Sequence, residues 1–274
     1  MSSVSFDRAA SYYDATRGLP VEIRLSLARM LAGELAGRGT CFEIGVGTGR
    51  IALPLHDIGI PMMGSDISAG MLQRLVANAS RQTIPPAPQP EPGRPPHPPF
   101  PLMRADATDL PLAVASVGAV MASHVLHLIP PWRRAVEEAI RVLRPGGVLL
   151  VDFGGSTATP WSCETLALFE AHGIRHIRPG VSGPEPLAEY LGSRVAVRPL
   201  PAIEMKSHRS LRQDLADWEH QIHAWTWPYT ADQMRRACQA IRDRALEQGW
   251  SIDAEVELTR TIQWWAFDLT DRPH

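Results

Sequence analysis

At 274 residues, 45% hydrophobic and 20% charged, the chain fits one large α/β domain, or a domain with a sizeable subdomain, with enough apolar residues to bury a core. A formal net charge of −2 excludes the global basic field that gathers nucleic acid or an anionic membrane, and Lys206 is the only lysine among the cations, a bias of G+C-rich coding. Cys41, Cys163 and Cys238 lie far apart with no CxxC pair, which argues against a disulfide scaffold or a zinc site and suits a reducing cytoplasm.

The N-terminal "MSSVSFDRAASYYD" lacks the positive and apolar regions of a signal peptide. Val21, Ile23, Leu25, Leu27, Met30, Leu31 and Leu35 predict a helix over roughly 20–36, followed by a strand at 40–44, a glycine loop and a helix from about 48. "IPMMGSDIS" reads as a second strand ending at Asp66, with Ser68 capping the helix "SAGMLQRLVANAS". Residues 84–101 hold ten prolines and cannot form a helix or a central strand; they read as an extended insertion, with an SH3-type ligand as the functional alternative. "PLMRADA" supplies a third strand, "VGAVMASHVL" a fourth, "WRRAVEEAIRVL" a helix and "GGVLLVDF" a fifth strand. The charge-free stretch 110–131 reads as a buried parallel strand and its flanks, not as a membrane span. Beyond 155 come two short helices, a strand "SRVAVRPLPAIEM", helices near 209–222 and 231–248, and a final strand "IDAEVELTRTIQWWAF" in which Trp264 and Trp265 face opposite ways. The βαβα rhythm predicts a Rossmann-like, seven-stranded, mostly parallel sheet with helices on both faces, five parallel strands being followed by an antiparallel pair. Residues 1–153 are expected to form the core, and 154–274 a helical substrate-covering region plus the last two strands of the same sheet.

In "CFEIGVGTGR" three alternate glycines follow an acid at the end of a strand. Such a turn brings backbone amides close to a ligand, yet a dinucleotide fingerprint needs glycine where Arg50 stands. Glu43 would repel a pyrophosphate and would suit a ligand with an ammonium and a sulfonium charge, so the loop favours S-adenosylmethionine over NAD.

"EIGVGTGR", "GSDIS…ML", "RADATDLPL", "SHVLHLI" and "VLRPGGVLLV", in that order, resemble a class I S-adenosylmethionine-dependent methyltransferase of the small-molecule type. "FDRAASYYDATRG" is similar to the N-terminal segment of the ubiquinone/menaquinone and biotin-pathway methyltransferases, and the resemblance spans roughly residues 5–153. It implies that Glu43, Gly45, Gly47 and Gly49 line the methionine part of the cofactor, and that Asp66 accepts hydrogen bonds from both ribose hydroxyls. By the same resemblance Ile67 and Met71 pack on the adenine, Asp106 and Ala107 meet its amino group, the Ser123 backbone lies near the methionine amine, Tyr13 covers the cofactor and Arg17 pairs with its carboxylate. Plain core or capping roles are the alternatives at Asp66, Ile67 and Met71, and Arg50 reads most simply as a helix N-terminal residue reaching solvent.

His124 and His127 follow the fourth strand, at the edge where open α/β sheets bind ligands, and either imidazole could remove a proton from an acceptor. Packing is the alternative for His127, between Leu126 and Leu128. Methyl transfer by alignment alone, with no base, is a further possibility. Trp218, Trp225 and Trp227 are candidates for an acceptor pocket, with a packed helical lid as the other reading; His220 and His223 are spaced for a metal but lack partner ligands, so no metal is assigned. The expected activity is methyl transfer from S-adenosylmethionine to O, N or C of a small molecule. A cofactor-binding protein without transferase activity and an NAD-dependent oxidoreductase are the rivals; nucleic acid and membrane partners are not expected, and the oligomeric state is open.

Overall fold

The computed structural model describes residues 4–82, 97–154 and 157–270. Most of the proline-rich 84–101 segment lies outside the described residues. The chain forms two compact units, one of Met1–Gly154, Pro179–Ile203 and Ile262–His274, the other of Gly155–Arg178 and Glu204–Thr261.

The first unit contains α1 (Tyr13–Arg17), α2 (Val21–Leu35), β1 (Cys41–Ile44), α3 (Ala52–Asp57), β2 (Met62–Asp66), α4 (Ala69–Gln82), β3 (Leu102–Arg104), β4 (Val117–Ser123), α5 (Trp132–Val142) and β5 (Leu143–Asp152). Later parts of the chain add α7 (Pro184–Leu191), β6 (Val195–Pro199) and β9 (Trp264–Leu269). The seven strands run in the order β3-β2-β1-β4-β5-β9-β6, with β9 antiparallel to both of its neighbours and the β1–β5 pairings parallel. The expected mostly parallel seven-stranded sheet is therefore present.

Its strands are apolar on both faces, and the two-residue period sorts them cleanly. Phe42, Ile44, Val120, Ala122, Leu149, Val151 and Phe267 pack with α5 and α7 residues such as Val136, Ala139 and Leu187. Cys41, Ala119, Met121, Val148, Leu150, Trp264 and Ala266 pack instead with Leu27, Leu31, Leu53, Leu55 and Leu75 of α2, α3 and α4. Trp264 belongs to the second set and Trp265 packs against the first, as alternation requires.

The second unit contains α6 (Ser162–Ala171), α8 (Leu211–Glu219), α9 (Ala231–Glu247) and most of the two-stranded sheet of β7 (Ile203–Arg209) and β8 (Val256–Ile262). Met234, Ala237, Cys238, Ile241 and Ala245, at helical spacing on α9, meet Leu211 and Leu215 of α8 and Phe169 of α6. Capping boxes start α8 and α9: Ser210 with Gln213, and Thr230 with Gln233.

Three sequence expectations differ here. The strand expected across 193–205 breaks into β6 and β7 around Leu200–Ala202, at Pro201, and the final strand divides at Gln263 into β8 and β9. The helix expected over 209–222 ends at Glu219, so Trp218 and Trp225 share no helix face. Both rings instead meet Phe169 edge to face, with centroids 5.1 and 5.3 Å away. Trp227 donates its indole N–H to the Gln221 carbonyl at 2.8 Å, so the aromatic density that suggested an acceptor pocket has a use inside this unit.

Candidate functional site

The strand order reverses between β1 and β4, and in such sheets ligands bind beyond the carboxyl ends of the strands. A cleft lies there, lined by both apolar and polar groups. Its floor comes from the ends of four strands: Gly45 and Gly47 after β1, Asp66 and Ile67 at β2, Asp106 and Ala107 after β3, and Ser123 and His124 at β4. Met71 lines it from α4, and Tyr13 from α1.

The loop after β1 takes its shape from glycine. Gly45, Gly47 and Gly49 adopt φ of 65°, 56° and 82°, a region that side-chain-bearing residues avoid. Their surroundings differ. A Cβ at Gly49 would come within 2.7 Å of the Leu53 side chain and 2.9 Å of Leu75, so this glycine serves helix packing and does not line the cleft. At Gly47 the nearest atom is a backbone oxygen at 3.8 Å, and the space a Cβ would take opens on the cleft.

Asp66 ties the loop to β2. Its two oxygens accept from the Gly47 amide at 2.9 Å and the Ser68 amide at 2.8 Å. Burial raises its carboxyl above the ordinary range, while these hydrogen bonds pull the other way. The expected cap is present, with Ser68 Oγ accepting from the Met71 amide at 3.1 Å. Asp106 Oδ1 accepts from the Thr108 amide and hydroxyl, both at 2.9 Å, an Asx turn that fixes the carboxylate.

Glu43 does not line the cleft. It shares a face of β1 with Cys41 and is 2% exposed, and its Oε2 is buried without a hydrogen-bond partner. Burial pushes its carboxyl up to about 8; Arg50 opposes this and Asp66 adds to it. The unfolded chain ionises Glu43 from about 4.5, whereas the folded one holds the proton until about 8, so this residue makes stability fall as pH rises between those values. Glu43→Gln should remove that fall. Urea unfolding at about pH 5 and about pH 8 should show wild type losing on the order of 2–4 kcal/mol relative to the variant. A difference that stays constant with pH would contradict the assignment.

Arg50 corrects the expectation of a solvent-reaching side chain. It turns inward, donating to the Arg17 carbonyl at 3.2 Å and lying 3.5 Å from Ser123 Oγ. Arg17 itself is half-buried and does not line the cleft; its guanidinium donates to the Thr16 carbonyl. His127 sits in a single turn, Leu126–Leu128, outside the cleft lining, with its ring centroid 6.2 Å from that of His124.

Sequence reasoning missed four residues. Asp7 accepts from Ser68 Oγ at 2.6 Å and the Gly70 amide at 2.9 Å, and the Ser68 contact foremost brings its carboxyl down to about 2. Asp14 accepts from Thr48 Oγ1 at 2.6 Å, Asn78 at 2.9 Å and Arg74 at 3.0 Å. These two acids fasten the N-terminal segment to the glycine loop and α4. Asp152, at the end of β5, lies 3.4 Å from His124 Nε2, and Arg50 is the fourth. An acid at the carboxyl end of a parallel strand was the available signal for Asp152. His124 itself adopts φ of 53°, a strain of about 1–3 kcal/mol for a side-chain-bearing residue.

Residues 42–151 match the model of a methyltransferase domain. The chain is 30% identical over 186 residues to a ubiquinone/menaquinone biosynthesis C-methyltransferase of Syntrophotalea carbinolica, covering 65% of this chain and 70% of that protein. It is 32% identical over 143 residues to the biotin biosynthesis bifunctional protein of Cellvibrio japonicus, covering 52% of this chain and 25% of that one. Among solved structures, the YcgJ protein of Bacillus subtilis superposes with a TM-score of 0.57 at 16% identity, covering 90% of this chain and 99% of that one. The cyclase SpnF also superposes, with a TM-score of 0.54 at 16% identity over 99% of both chains, so the fold by itself does not dictate the reaction. The domain match spans the strands that build the cleft, and with the first of these relatives matched over most of its length, the chain belongs to the class I S-adenosylmethionine-dependent methyltransferases.

Proposed function

We propose that this methyltransferase binds S-adenosylmethionine in the cleft beyond β1–β4 and passes its methyl group to a small-molecule acceptor. The observation that carries the reading is convergence: the glycine loop, Asp66 and Asp106, from three separate sequence motifs, line one cleft. The donor set suits the cofactor. Asp66 has the acceptor geometry for a pair of ribose hydroxyls, and the open side of Gly47 leaves backbone room for the methionyl part. When bound, the cofactor supplies a methyl group on sulfonium sulfur, a good leaving group.

The chain's own residues do the rest. Met71 and Ile67 give the adenine an apolar bed, Tyr13 closes the cleft from α1, and alignment of the acceptor supplies much of the rate. NAD is disfavoured because Arg50 stands where its loop needs glycine. No helix among the described residues is long and apolar enough to cross a membrane, and the three cysteines are free, which supports a reducing, cytoplasmic setting.

Calorimetric titration with S-adenosylmethionine, S-adenosylhomocysteine and NAD tests the cofactor. Micromolar binding of the first two with no heat from NAD is the expected result. NAD binding, or binding of none of the three, would overturn the reading.

A further inference from the structure

Methyl transfer to a hydroxyl has a second requirement besides a good leaving group. A neutral hydroxyl is a weak nucleophile, and once its oxygen has taken the methyl group it carries a proton that must go elsewhere. Three independent features hold one imidazole at the cleft in a way that meets this need.

The first is placement. His124 lines the cleft directly after β4, in a left-handed backbone conformation at φ 53° that packing must enforce. The second is a carboxylate behind it. Asp152 Oδ2 lies 3.4 Å from His124 Nε2, while Oδ1 accepts from the Gly154 amide at 2.8 Å, and the residue is 6% exposed. Ser123 and Asp152 are in register across β4 and β5, so two buried strands fix the separation of ring and acid. The third is Gly154, where a Cβ would come within 2.5 Å of His124 Cε1; only glycine leaves room for the ring there. A separation of 3.4 Å is longer than a formed hydrogen bond, as catalytic contacts often are before substrate arrives.

Resting on the methyltransferase reading above, we propose that the acceptor is a hydroxyl compound and that His124, held by Asp152 as a positioning residue, removes its proton during transfer. The acceptor oxygen bonds to the methyl carbon, the carbon–sulfur bond breaks with its electron pair left on sulfur, and the hydroxyl proton passes to Nδ1. Asp152 keeps the other ring proton on Nε2, neighbours the imidazolium that forms, and so favours it until the proton is returned to water. The titratable and charged groups around the ring are Asp152 from β5, His127 from the turn after β4, Arg50 through Ser123, and Tyr13 across the cleft.

The full chain is assayed with methyl-labelled S-adenosylmethionine and a panel of phenols running from phenol to 4-nitrophenol, which arrives largely ionised. Label should appear on the phenolic oxygen. His124→Asn, chosen because Asn tolerates a left-handed backbone, should lower kcat on phenol by about 100-fold or more and on 4-nitrophenol far less. Asp152→Asn keeps an acceptor for the Gly154 amide; it should lower kcat on phenol without raising KM and move the acid limb of the kcat profile to lower pH. Both variants should bind S-adenosylhomocysteine within a few-fold of wild type, which also reports that they fold. Equal losses on the two phenols, label on carbon, no label on any phenol, or loss of S-adenosylhomocysteine binding by either variant would overturn the proposal. A wild-type protein that fails to bind S-adenosylhomocysteine would instead overturn the reading on which it rests.

Discussion

Asp66→Ala should weaken S-adenosylhomocysteine binding by about 100-fold or more, measured by calorimetry. Hydrogen bonds to a charged acceptor contribute roughly 1.5–3 kcal/mol each, and each 1.4 kcal/mol is a tenfold change in affinity, so losing two to a ribose reaches that range. The substitution also removes the acceptor that ties the Gly47 amide to β2, so the loop loses its anchor on the side where the ligand lies. Asp66→Asn separates the two contributions. It retains one acceptor oxygen at the same position but no charge, and its affinity should fall between those of wild type and the alanine variant. Unchanged affinity in the alanine variant would show that Asp66 acts only as a tie within the loop.

Gly118→Ala should leave little or no folded protein. A Cβ there would sit 1.6 Å from the Arg38 carbonyl oxygen and 2.6 Å from its carbon, and neither belongs to a flexible side chain. Relief by shifting β4 is blocked, because β4 pairs with β1 on one side and β5 on the other, and the Gly118 amide donates to the Thr40 carbonyl at 3.0 Å. Any shift breaks buried hydrogen bonds, so the expected loss exceeds about 4 kcal/mol. Gly47→Ala makes a useful contrast, since its Cβ would meet nothing closer than 3.8 Å and the cost is the backbone conformation alone, about 1–2 kcal/mol. Thermal unfolding of the two variants should differ widely; similar midpoints would show that the 37–40 segment can yield to a methyl group at Gly118.

Both residues bear on what could be read from the chain alone. Asp66 was legible because its signal is local: an apolar run ends in an acid, and a capped helix begins two residues later. The same held for the glycine loop and for the period-2 strands, whose apolar residues sort to the two faces one by one. Arg50 misled because a side chain at a helix start faces solvent by default, and its partners here, the Arg17 carbonyl and Ser123 Oγ, lie 33 and 73 positions away. Asp7 and Asp14 act on residues about 34 to 64 positions away, so nothing beside them in the sequence announces their role. The helix expected over 209–222 stops at Glu219, before Trp225 is reached, and helix ends are poorly marked without glycine or proline. The place of β9 between β5 and β6 is a long-range choice of pairing partner, made by β5 only when a strand more than a hundred residues later reaches it.

That pairing has a consequence for how the protein is made. Strands β1–β5 leave the ribosome as a contiguous block, yet the edge of β5 away from β4 keeps its ladder unpaired until Trp264–Leu269 emerges. During that interval a strand whose last six residues are buried in the finished sheet presents an apolar edge that a second nascent chain could pair with. The single strand β6 finds its place only on β9, so two of the seven positions in the sheet are filled by one late event. Synthesis that halts within the second unit therefore yields a methyltransferase core with its cofactor motifs complete and its sheet open, a species fitted to aggregate before it can work.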